Sequence, residues 1–97
     1  MDKILCVELD VGLLKSRCDV LKYAGYDTAS ASPHLAEIML RCQKFDLIVL
    51  SKLSDSDLHR IINFADGADL LVLDGFTKPS ELLSLVVQRL DRHQRRA

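Results

Sequence analysis

The sequence has no Trp and only two Tyr and three Phe among its 97 residues, so a core built from it must be aliphatic: Leu, Ile, Val and Ala. It has no surplus charge of either sign, with 13 Lys and Arg against 14 Asp and Glu. That near balance offers no overall field for nucleic acid or an anionic membrane, and neither is expected as a partner. Cysteine is scarce too. Cys6, Cys18 and Cys42 are an odd number with no CxxC pair, which excludes a disulfide framework and a zinc site. They read as buried, reduced thiols of a cytoplasmic protein. No apolar run approaches the roughly 18 residues of a membrane span, and no signal-peptide core is visible. Gly12, Gly25, Gly67 and Gly75 stand singly, as turns or caps, so no phosphate-cradling loop is present.

What is there suits a small globular domain over residues 1–97. The apolar fraction of 48% is ample for a packed core and excludes disorder of the whole chain. Four short apolar runs alternate with four helical patterns. Lys3 to Val7 is continuously apolar after its lysine, as expected of a strand covered on both faces. Leu13, Leu14, Cys18 and Leu21 mark a helix stopped by Gly25. Tyr26 to Ser30 is a weaker strand. Ser32 and Pro33 then open a helix as N-cap and first residue, with Leu35, Ile38 and Cys42 on one face. Phe45 to Leu50 is the strongest strand. Ser54 or Asp55 caps a helix from Asp57 to Ala65, with Leu58, Ile61, Ile62 and Ala65 inward and Gly67 as its stop. Leu70 to Leu73 is the fourth strand. Thr77 to Pro79 starts a last helix striped by Leu82, Leu83, Val86, Val87 and Leu90. Its end, over 89–97, is basic: Arg89, Arg92, Arg95 and Arg96, with His93 and a single acid, Asp91. Cations suit a helix C-terminus; a docking patch is the alternative reading.

Strands alternating with helices at this spacing predict an α/β fold: a parallel sheet with helices on both faces. Ligands of such sheets sit beyond the carboxyl ends of the strands. The residues there are Glu8, Leu9 and Asp10, then Ser51 and Lys52, then Asp74 and Gly75.

Taken in order, these segments resemble the response-regulator receiver domains, which have a flavodoxin-like architecture. Ile4-Leu5-Cys6-Val7-Glu8-Leu9-Asp10 followed by Gly12-Leu13-Leu14 is similar to that family's opening strand, which ends in acids that hold Mg²⁺. Leu21-Lys22-Tyr23-Ala24-Gly25-Tyr26 resembles its first-helix exit, and Phe45-Asp46-Leu47-Ile48-Val49-Leu50 its third strand. Gly67 to Leu73 and Glu81-Leu82-Leu83 look like its last strand and helix. The family's phosphorylated aspartate falls on Ser51, and the second of its paired acids on Leu9. Its lysine falls on Asp74, or on Lys78 in a rival alignment that uses Lys78-Pro79.

An acyl phosphate needs a carboxylate nucleophile, a divalent cation and a cation on the far side. Ser51 cannot form one, Leu9 offers Mg²⁺ no oxygen, and Asp74 reverses the sign of the lysine. Glu8, Asp10, Ser51 and Asp74 are therefore expected to form a vestigial acidic pocket without catalytic residues. Glu8 and Asp10 read as solvated acids, the one place where Mg²⁺ would find two carboxylates. Ser51 reads as a small polar turn out of the strand, since His34, His59 and His93 lie in helices or the tail, out of reach as its base.

A βαβ unit takes about 30 residues, and only positions 52–73 separate Ser51 from Asp74. One of the family's five βα units is thus missing, and the expected strand order is 2-1-3-4 with an open fourth edge. Open edges pair with other chains, so a homodimer through the edge or the helix faces is expected. No effector domain is read, so output would pass through contacts with a signalling kinase or effector. The leading function is a pseudo-receiver that binds proteins without aspartyl phosphorylation. The alternatives are a working phosphorelay receiver with a substitute acceptor and a small flavodoxin-like enzyme.

Overall fold

A computed structural model describes residues 2–51, 53–65, 67–73 and 77–95, the last four of these as backbone only. Its elements are β1 (Lys3–Val7), α1 (Val11–Tyr23), β2 (Asp27–Ala31), α2 (Pro33–Cys42), β3 (Leu47–Ser51), α3 (Asp55–Phe64), β4 (Asp69–Leu73) and α4 (Pro79–Arg95). The strands form one parallel sheet in the order β2-β1-β3-β4. This is the predicted architecture and order.

Local chemistry sets the helix ends. The Asp10 carboxylate accepts from the Leu13 N–H at 3.0 Å and starts α1. At its other end the Gly25 N–H donates to the Lys22 carbonyl at 3.0 Å and the Tyr26 N–H to Leu21 at 3.1 Å. Those two bonds define a Schellman turn, which needs the left-handed φ of +97° that Gly25 adopts. Ser32 caps α2 with Pro33 in its first turn. Ser54, not Asp55, caps α3, while Asp55 and Asp57 favour its N-terminal dipole. Lys78 sits just before α4, its carbonyl accepting from the Leu82 N–H at 2.9 Å.

The sheet separates two cores by its period-2 alternation. Ile4, Cys6, Leu47, Val49, Leu71 and Leu73 point to one side, where Leu21 of α1 and Leu82, Val86 and Leu90 of α4 cover them. Leu5, Val7, Ile48 and Leu50 point to the other, under Ala36 and Leu40 of α2 and Ile61 of α3.

Three expected faces differ from this. On α2 the buried stripe is Ala36 and Leu40; Leu35, Ile38 and Cys42 are exposed. The strand below it is β2, whose Ala29 and Ala31 are small, so the helix seats its own small residue there. Ile62 is exposed on α3 and Val87 on α4, each at the margin of its helix's buried stripe. Cys6 and Cys18 are buried as expected and Cys42 is not. Burial, with the Cys18 thiol close by, pushes the Cys6 thiol up to about 12.

β4 is the open edge on the α3 side. The Asp69 N–H donates to the Asp46 carbonyl at 3.0 Å, so the backbone of Asp69 faces inward and that of Leu70 and Val72 faces outward. Arg89 reaches from α4 to this edge, donating to the Leu70 carbonyl at 3.0 Å with Asp69 3.8 Å away.

Candidate functional site

The carboxyl ends of β1 and β3 meet side by side, Val7 pairing with Leu50. One step further along the two strands lie Glu8 and Ser51. Glu8 continues the side of β1 that carries Ile4 and Cys6, and Ser51 the side of β3 that carries Leu47 and Val49. Both therefore belong to the face covered by α1 and α4, and both are buried.

Glu8 is not a solvated acid. Its Oε2 lies 3.0 Å from Nη1 of Arg17, and both side chains are nearly excluded from water. A buried carboxylate is tolerable only with such a partner. Arg17 is the residue that a search for apolar stripes passes over, although a signal for it exists. Positions 14, 17, 18 and 21 share one helix face, so Arg17 is on the inward stripe of α1. The alternation of β1 turns Glu8 toward the same space. An acid and a base facing one interior from adjacent elements mark an ion pair.

The neighbouring side chains are committed elsewhere. Leu9 is 60% exposed and offers no donor. Asp10 is the N-cap of α1, its Oδ1 taken by the Leu13 N–H. Ser51 is the last residue of β3, pairing with Leu73, and not the start of a turn. It is 0% exposed, and its hydroxyl has no hydrogen-bond partner among the described residues. Lys78 is exposed at the start of α4. Asp74, Lys52 and Gly75 lie outside the described residues, as do the side chains of Arg92, His93, Arg95 and Arg96. His34 and His59 are exposed on α2 and α3.

The structure thus brings Glu8 and Ser51 to neighbouring strand ends and holds Asp10 at a helix cap. Among the described residues, no group of three or more His, Cys, Asp or Glu side chains is placed to hold a metal ion. Mg²⁺ requires several hard oxygen donors. Here one carboxylate is matched by a guanidinium, the second caps a helix and the third position is a leucine. Glu8 and Asp10, the two acids that follow β1, are each already engaged.

The opening at the end of β3 is apolar. A cavity of about 130 Å³ is lined by Leu50, Ser51, Leu53, Leu58 and Val72. Val72 is 62% exposed at its rim. Ile62 lies one turn beyond Leu58 on α3 and is also exposed. No described helix is long and apolar enough to cross a membrane.

No family model matches the sequence, and none of the curated proteins matches it. Solved structures do. A response regulator receiver protein from Sinorhizobium medicae superposes with a TM-score of 0.76 at 17% identity, over 95% of this chain and 96% of that one. The chemotaxis protein CheY4 of Vibrio cholerae gives 0.65 at 17% identity, over 91% and 98%. A CheY-like receiver domain protein from Methanospirillum hungatei gives 0.59 at 18% identity, over 100% and 99%. With its four parallel strands in the order 2-1-3-4 and its helices on both faces, this chain has the flavodoxin-like fold of the response-regulator receiver domains.

Proposed function

We propose that this chain is a receiver-type signalling module that works by protein–protein contact, without phosphorylation of an aspartate. It acts as a binding module rather than an enzyme. The observation that carries this reading is Ser51. It stands at the carboxyl end of β3, where the resemblance puts the phosphate acceptor, and it is a buried hydroxyl. A hydroxyl cannot form an acyl phosphate, and no base is placed against it among the described residues. The acid nearest to it in the ladder, Glu8, is already paired with Arg17.

A module that works by contact needs an exposed surface. Val72 is exposed beside the partly buried Leu53 and Leu58, on the face that α3 leaves open at β4, and Ile62 is exposed one turn beyond Leu58 on α3. We place a second copy of this chain on that face. Strand-to-strand pairing at the edge is disfavoured, because Arg89 already holds the outward Leu70 carbonyl. Packing of the apolar face against its own copy leaves that bond intact. A kinase or effector, the partners that the receiver resemblance implies, would meet the assembled module. Three free cysteines, two of them buried, support a cytoplasmic setting.

Light scattering over a concentration series tests the reading, with and without acetyl phosphate and Mg²⁺. The expected result is a dimer that ignores the phosphate donor and that Val72→Glu converts to a monomer. A wild-type monomer at high micromolar concentration refutes the dimer. Assembly that requires the phosphate donor refutes the phosphate-independent module.

A further inference from the structure

We infer that Arg17 is a built-in counter-cation for the acid at the end of β1, so that the chain binds no divalent ion there and its strand-end site keeps one charge state whatever the Mg²⁺ concentration. The geometry leads to this in three steps.

Glu8 follows the inward alternation of Ile4 and Cys6, so its carboxylate is delivered beneath α1 and not into the solvent beyond the sheet. A carboxylate in that position needs positive charge within contact distance. It has one: the Arg17 guanidinium at 3.0 Å, itself 6% exposed and adjacent in sequence to the buried Cys18. The planar guanidinium, with its fixed fork of donors, suits a carboxylate held at contact distance.

An incoming Mg²⁺ would meet that fixed cation in a poorly screened interior, where like charges repel strongly. It would also have to take Asp10 from the Leu13 N–H and so uncap α1. Leu9 would contribute nothing. Each of these opposes binding: one oxygen of Glu8 already faces Arg17 and one of Asp10 already caps α1.

The pair also ties parts of the fold together. Arg17 lines a cavity of about 150 Å³ between α1 and α4, with Leu13, Thr77 and Leu82 among its other walls. The end of β1 is thereby fixed to α1 close to where α4 begins. The acid at this point is compensated from within the fold. The inference rests on the receiver fold and the Glu8–Arg17 geometry. It is independent of which protein the chain contacts, so it stands or fails separately from the docking reading.

Thermal unfolding of the full chain in MgCl₂, against NaCl of matched ionic strength, supplies the first arm of the test. Wild type is expected to melt at the same temperature in both. Arg17→Met, which strands a buried carboxylate, is expected to melt lower by roughly 10 °C or more. Adding Glu8→Gln to Arg17→Met is expected to recover at least half of that loss, because the acid then no longer needs a cation. Should Arg17→Met fail to fold, folding of the double variant is the equivalent result. A magnesium-specific rise in the wild-type melting temperature overturns the inference. So does a double variant whose loss equals the sum of the two single losses, since the two charges would then be uncoupled.

Discussion

Replacing Ser51 with Ala should stabilise this protein, although Ser51 is among its most buried residues. The hydroxyl is 0% exposed and has no hydrogen-bond partner among the described residues. A buried hydroxyl left in that condition costs about 1–3 kcal/mol of desolvation that nothing offsets. Ala occupies the same backbone conformation and removes a single atom, so the packing lost is small. The strand pairing with Leu73 uses the backbone and is untouched. A net gain of about 1 kcal/mol follows. In a domain of this size that raises the melting temperature by roughly 4–8 °C. In urea it moves the midpoint up by roughly 0.3–1 M. The counterpart is Ser51→Asp, the residue type that the receiver resemblance implies at this position. It puts a second carboxylate on the face that holds Glu8, at a cost of several kcal/mol, on the order of that for any buried ion without a partner. Urea denaturation of the three proteins decides the matter. If Ser51→Ala loses as much as about 0.5 kcal/mol, the hydroxyl is satisfied and the reasoning from its burial is wrong.

Gly25→Ala tests the Schellman turn. No atom lies within 4 Å of the added Cβ, so the whole effect comes from the φ of +97°, a destabilisation of about 1–2 kcal/mol by urea titration. Arg89→Ala removes the bond to the Leu70 carbonyl and should cost about 0.5–1.5 kcal/mol. It also frees that carbonyl at the edge, so faster aggregation by turbidity is expected alongside the loss. The Cys6 thiol is raised from 9.0 to about 12 in the folded chain. The unfolded chain therefore releases that proton first, and stability is lost as pH climbs from about 9 toward about 12, at about 1.4 kcal/mol per pH unit. Cys6→Val should show a shallower decline over the same window.

The four strands, the four helices and their order were legible because each element is announced by strong local chemistry. Continuous apolar runs mark β1 and β3, Ser32-Pro33 and Gly25 mark helix ends, and the helix stripes recur at three and four residues. Helix rotation was less legible. Periodicity favours Leu35 and Ile38 because they are larger than Ala36, but the surface under α2 carries Ala29 and Ala31, and close approach selects the small residue. Ile62 and Val87 mislead for a related reason: an apolar residue at the margin of a stripe is buried only if the sheet extends beneath it. The site divides similarly. Ser51 and Leu9 could be read directly, since they change the residue type where chemistry is needed. Arg17 could not be found among apolar residues; it follows from combining the alternation of β1 with the face of α1. Asp74, the third departure, lies outside the described residues.

The central claim is that a receiver fold persists here without aspartyl phosphotransfer. Incubation of the full chain with acetyl phosphate and Mg²⁺, followed by intact mass measurement, tests it most directly. The expected result is an unchanged mass of 10.9 kDa. An adduct of one phosphoryl group that hydroxylamine removes would contradict it.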